Sequence, residues 1–272
     1  MGVSNLVLVA AMITGQAPDR DAATKADRSP SAERLEFMKT SVTSYQFEDK
    51  ADPGRTMELR PEPAFRLGKQ GDGVVLEGAI FLWADAVGRP EAAAQVFLIQ
   101  SAAKAEGEWL HEFTSLSTSP FAASQGGKPR WMPMVAGVLF QPIPGAPKPA
   151  ETAAQRLRQL RALAGEFRAH DNFWNRGWQP LRLLPTPIAR YGKSGATPED
   201  GALFAFALGT DPEAFLFIED RLGPNGPEWQ YAWAPMTCWG LKAEHKDRPV
   251  WELGFRNTGN MFRTFYSRPY QP

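Results

Sequence analysis

Two Glu-Trp pairs, Glu108–Trp109 and Glu228–Trp229, set a carboxylate beside an indole. Paired carboxylates serve glycoside hydrolysis, and a Trp face stacks on a sugar ring. Both Glu equally suit turns that lead into a strand, and that structural role is preferred. Gly192-Lys193-Ser194 has the ending of a phosphate loop. Such a loop needs a Gly five residues earlier and a helix after the hydroxyl. Pro187 holds the first position and Gly195 follows the Ser, so nucleotide binding is rejected. His111, His170 and His245 have no His or Cys three to five residues away, so no zinc spacing exists. The acids near His170 and His245 read as surface charge. A Ser-His-Asp triad is spatial and stays open, although no Gly-x-Ser-x-Gly elbow is present to carry one. The single cysteine, Cys238, excludes an intramolecular disulfide and reads as a buried, inert thiol. No catalytic residue, metal ligand or cofactor is assigned.

Six residues remain as ligand-binding candidates: Arg66, Lys69, Arg190, Lys193, Trp233 and Trp239. The four cations recur at matching places in two halves of the chain. They would line a pseudo-symmetric cleft for an anionic or carbohydrate ligand, or each Arg would pair with a carboxylate of its own half. The second arrangement is the simpler.

The matching places belong to a longer pattern. PEPAFRLGKQG, from Pro61 to Gly71, meets PTPIARYGKSG, from Pro185 to Gly195, with six of eleven positions identical. GAIF at Gly78 meets GALF at Gly201, and Pro90-Glu91-Ala92 meets Pro212-Glu213-Ala214. The Glu-Trp pairs and a closing Pro-x-Trp, at Trp131 and Trp251, follow in the same order. Ordered recurrence at near-constant offset predicts a tandem duplication.

Each unit should open with a helix. Thr152 and Gln155 have capping-box spacing, and Leu157, Leu160, Ala164 and Phe167 trace one apolar face. Leu35, Met38, Val42 and Tyr45 match them in the first unit. Arg156, Arg158, Arg161 and Arg168 read as a solvated face, since the first unit does not repeat them. Strand-like runs separated by Gly and Pro turns follow. The expected fold is α+β, each unit one N-terminal helix on a curved antiparallel sheet of about five or six strands, the other sheet face left wet. Gly68, Gly71, Gly192 and Gly195 suit turns of positive φ.

The expected organisation is a signal peptide over 1–15, a solvated leader over 16–31, units over 32–141 and 152–272, and a Pro-rich linker over 142–151. The signal peptide rests on the apolar run Leu6–Ile13, too short to span a bilayer, and it implies a secreted or periplasmic protein. Thirty basic and thirty acidic residues cancel, which argues against nucleic acid as partner, and no apolar stretch reaches membrane-spanning length. The partner expected is a small molecule, a carbohydrate or a protein. The function expected is non-enzymatic binding, with a sugar or ester hydrolase or a structural envelope component as alternatives.

DGALFAFALGTDPEAFLFIE from Asp200 to Glu219, with EWQYAWAPM and HKDRPVWEL after it, resembles uncharacterised secreted proteins of planctomycete-type bacteria. The resemblance covers Leu157 to Leu253. The first unit lacks the GTDPE and HKDR forms. The resemblance implies secretion and carries no activity or site residue.

Overall fold

The computed structural model describes residues 29–50, 56–69, 75–100, 107–193 and 195–270. The expected signal peptide, most of the leader and Gly71 lie outside them. Helix α1 (Pro30–Thr43) starts where Ser29 accepts the Ala32 N–H at 3.3 Å. Pro30 fills its first turn, where no backbone donor is needed. Eight strands follow: β1 (Tyr45–Asp49), β2 (Thr56–Leu59), β3 (Phe65–Leu67), β4 (Val75–Ala84), β5 (Pro90–Ile99), β6 (Glu108–Ser115), β7 (Phe121–Gln125) and β8 (Lys128–Trp131). The short β9 (Gln141–Pro142) precedes helix α2 (Ala153–Ala164). Then come β10 (Phe167–Asn172), β11 (Gln179–Pro180), β12 (Arg182–Leu183), β13 (Ala189–Tyr191) and β14 (Gly201–Leu208). The chain ends with β15 (Asp211–Gly223), β16 (Gly226–Pro235), β17 (Gly240–His245), β18 (Arg248–Leu253) and β19 (Phe265–Pro269).

The structure is α+β, with the strands in antiparallel sheets. A nine-stranded sheet runs β19-β6-β5-β4-β2-β1-β7-β8, with β3 beside β4. A six-stranded sheet runs β12-β14-β15-β16-β9, with β13 beside β14, and a four-stranded sheet runs β11-β10-β17-β18. Two strands cross between the halves. Pro142 of β9 faces Gln230 of β16, and Pro269 of β19 faces Leu110 of β6. The bonds continue past each Pro, from Ile143 N–H to the Trp229 carbonyl and from Tyr270 N–H to the Trp109 carbonyl, both at 2.9 Å.

Three main cores form. Met38 and Val42 of α1 meet Ala79, Phe81 and Trp83 of β4. Leu160, Leu163 and Ala164 of α2 meet Ala202, Phe204 and Phe206 of β14. The alternate residues of the same strands, Ile80 and Leu82 with Leu203, Ala205 and Ala207, form a core between the halves. The second sheet face expected to be wet is therefore buried along these central strands. A strand covered on both faces reads as a continuous apolar run, as FLWA and LFAFAL do.

Two local expectations change. Tyr45 and Phe167, placed on the helical faces, lie just beyond the helices, which end at Thr43 and Ala164, and open β1 and β10, still buried. Thr152 caps α2 by accepting the Gln155 N–H at 3.3 Å, but its hydroxyl donates to Gln155 Oε1 at 2.8 Å instead of the reciprocal box. Gly192 and Gly195 have φ of 125° and 78°; Gly68 is not in the positive-φ region.

Candidate functional site

The six candidates do not converge. Arg66 donates to Glu77 Oε1 at 2.8 Å, and Arg34 of α1 reaches Glu77 Oε2 at 2.7 Å. Arg190 donates to both oxygens of Asp200, at 2.9 and 2.6 Å, and Arg156 of α2 reaches Oδ2 at 3.1 Å. Each Arg thus pairs within its own half, and each carboxylate latches a helix onto its sheet. Burial works against the Glu77 charge, but hydrogen bonds from Ser31, Arg34 and Arg66 outweigh it and hold its pKa below the ordinary range. Arg156 is buried, unlike the exposed Arg158, Arg161 and Arg168, so the expectation of a solvated face fails for it. The sequence hid this because Arg34 supplies the matching cation one residue before Leu35, outside the compared apolar stripe. Lys69 and Lys193 are exposed. Trp233 is core, stacked on Trp251 with centroids 5.5 Å apart. Trp239 alone of the six lines the apolar-walled cavity where the two halves meet.

The other chemistry-bearing residues are structural. Glu108 opens β6, and Glu228 in β16 accepts from Gln230 at 2.9 Å. His111 is fully buried between Ser41 and Tyr45, at 3.3 and 3.1 Å, and burial pushes its pKa down to about 3. His245 is buried rather than a surface charge, and its Nε2 lies 3.0 Å from Glu166. No cluster of three His, Cys, Asp or Glu among the described residues has the geometry to hold a metal. No described helix is long and apolar enough to cross a membrane.

The cavity lies where β5 and β6 of the first half meet the β14–β15 turn and the Met236–Trp239 segment of the second. Its volume is about 280 Å³. The walls are apolar: Phe97, Ile99 and Leu110 on one side, Leu208, Met236 and Trp239 on the other. Trp174 stacks on Trp239 with centroids 6.0 Å apart and is half exposed at the mouth. It belongs to a one-turn helical segment, Phe173–Asn175, in which Trp174 and Asn175 have φ of 56° and 55°. Two consecutive side chains in the left-handed region mark a strained loop, a feature common at binding sites.

The polar end carries Gln95, Glu112, Asp211, Glu213 and Thr237. Gln95 is 2% exposed; its Nε2 donates to Asp211 Oδ1 at 2.7 Å, and its Oε1 has no partner. Burial, with the charge of Asp211, pushes Glu112 up to about 8. The same causes, with Asp171 added, raise Glu213 well above the carboxylate range, against a hydrogen bond from Thr237. Asp171, wholly buried nearby, is raised to about 7 by burial. The nearest guanidinium, Arg256, donates to the carbonyls of Thr237, Trp239 and Gly254 and does not line the cavity. Cys238 is half-buried against the core between the halves and also lines the cavity; burial raises its thiol to about 11, so it stays protonated.

A second polar cluster joins the halves without a cavity. Arg89, 4% exposed, donates to Glu219 Oε1 at 2.8 Å and Glu91 Oε1 at 2.9 Å. Its guanidinium lies 4.9 Å from the Phe217 ring centroid. Tyr191 donates to Glu219 Oε1 at 2.8 Å and Arg221 to Oε2 at 2.6 Å. Burial alone would weaken the Arg89 charge; Glu219 and Glu91 outweigh it and raise its pKa.

Sequence patterning does not reveal the cavity, because Gln95, Glu112 and Asp211 meet only in three dimensions. One signal was present: the residue before Pro-Glu-Ala changes from Arg89 to Asp211 between the halves. No protein-family model, no curated protein and no solved structure matches the chain.

Proposed function

We propose that the chain is a tandem duplication working outside the cytoplasm as a non-enzymatic binding protein. Its ligand is a small molecule held in the cavity between the two halves. Duplication is supported by paired registers. Gly78 faces Phe97 and Gly201 faces Glu219; Gln95 faces Glu112 and Phe217 faces Ala232. The Arg34–Glu77–Arg66 and Arg156–Asp200–Arg190 latches, and the Pro142 and Pro269 crossings, recur at the same steps. The extracytoplasmic location rests on the apolar run at Leu6–Ile13.

One observation carries the binding reading: an apolar-walled cavity ending at a buried amide oxygen without a partner. Apolar cavities with a few convergent polar groups are the usual form of small-ligand sites, and an unmet buried acceptor costs stability until something donates to it. Scanning fluorimetry of the chain against a library of amines, sugars, lipids and nucleotides tests it. Stabilisation by one chemical class, lost on Trp239→Ala, supports the reading; stabilisation by none overturns it.

A hydrolase reading draws on Glu112, a carboxyl protonated near neutral pH beside Asp211. Neutral acid and carboxylate together are a glycosidase pair. Turnover of aryl glycosides abolished by Glu112→Gln would favour it over binding alone.

A further inference from the structure

We propose that the ligand is an organic cation: an amine on a compact apolar or aromatic body, its ammonium seated among Gln95, Glu112, Asp211 and Glu213. This rests on the binding and duplication readings above. In the paired registers Arg89 corresponds to Asp211, Glu91 to Glu213, Glu219 to Phe97, Phe217 to Gln95 and Ala232 to Glu112. The backbone supports the match: Leu116 N–H donates to the Glu91 carbonyl at 2.9 Å, and Met236 N–H to the Glu213 carbonyl at 2.7 Å. At the Arg89 end, a guanidinium sits between carboxylates against a ring face. At the Asp211 end, the corresponding residue is an acid, Glu112 adds another, and no Lys or Arg among the described residues lines the cavity.

The remaining chemistry has the same sense. Gln95 lines the cavity, and its Oε1 is a buried acceptor without a donor. An ammonium supplies three donors and a positive charge; a carboxylate ligand supplies no donor, and its negative charge would meet the acids. Phe97, Leu110 and Met236 receive the apolar body, and the Trp174–Trp239 pair stands at the mouth. Glu112 faces Asp211, Glu213, Cys238 and, behind the Thr237–Trp239 backbone, Arg256. Both Glu112 and Glu213 hold protons without ligand, so an entering ammonium displaces protons and binds more tightly as pH rises.

Calorimetry and scanning fluorimetry on the whole chain would compare 2-phenylethylamine, 2-phenylethanol and 3-phenylpropanoate. The expected order is amine first by about tenfold or more, and the amine affinity should rise between about pH 6 and 9. Asp211→Arg, which places a guanidinium at the position matching Arg89, should abolish amine binding. Glu112→Gln, nearly isosteric and safer for folding, should weaken the amine about tenfold and leave the alcohol unchanged. Equal binding of alcohol and amine, or preference for the acid, overturns the cation assignment while the cavity reading stands. Failure of these probes and of the wider library overturns the cavity reading itself.

Discussion

The Arg89 cluster and the Asp211 cavity occupy opposite ends of one interface between the halves, and they resolve the same electrostatic problem differently. At the first, one guanidinium reaches both buried carboxyl groups, Glu91 and Glu219. At the second, Glu112 and Glu213 escape the cost of buried charge by keeping their protons. A buried carboxyl must be paired or neutral. The closed end is thereby a structural clamp. The open end retains one unmet acceptor, Gln95 Oε1, beside its acids, and those are what a ligand can use.

The strongest way to break this contrast is Arg89→Met. It removes the guanidinium from two buried carboxyl groups, leaving Glu219 to Arg221 and Tyr191, and should cost about 3–5 kcal/mol, read by urea denaturation. A loss under about 1 kcal/mol would show that Arg89 is no clamp. Next in size is the pH response of the open end. The folded protein holds the Glu112 proton more tightly than the unfolded chain does. Stability therefore falls as pH rises from the ordinary 4.5 to about 8. Melting temperature should drop by several degrees across that window. Glu112→Gln should remove part of the drop, and Glu112→Gln with Glu213→Gln most of it; an unchanged slope would mean that neither carboxyl is neutral in the fold.

Gly201→Ala is the third test. A Cβ there would lie 2.6 Å from the Tyr191 ring. The clash should cost about 1–3 kcal/mol in denaturation, felt through Glu219. Gly78→Ala, whose Cβ would lie 2.7 Å from that of Phe97, should instead press Phe97 toward the cavity and weaken ligand binding measured by calorimetry. The smallest effect belongs to Arg221→Ala. This side chain is partly exposed, and Arg89 still neutralises Glu219, so the loss should stay within about 1 kcal/mol by thermal unfolding.

Much of the fold could be read in one dimension. Helical spacing at Met38 and Leu160 reports a packing face directly, and the Arg66 and Arg190 pairings follow from cations that recur beside recurring turns. The double-sided burial of β4 and β14 was written as unbroken apolar runs, but a run does not say what covers its second face. The cavity was least legible. Gln95 and Asp211 are far apart in sequence, and their residue types are ordinary on a surface; only apposition of the halves buries one and aligns the other.

The crossings of Pro142 and Pro269 carry a consequence for anyone dividing this molecule. A cut in the connecting segment before Thr152 would leave the tail of each fragment folded onto the other, so the fragments should reassemble as a clasped heterodimer. Expressed singly, either fragment would present β6 or β16 as a bare hydrogen-bonding rim, open to association with itself.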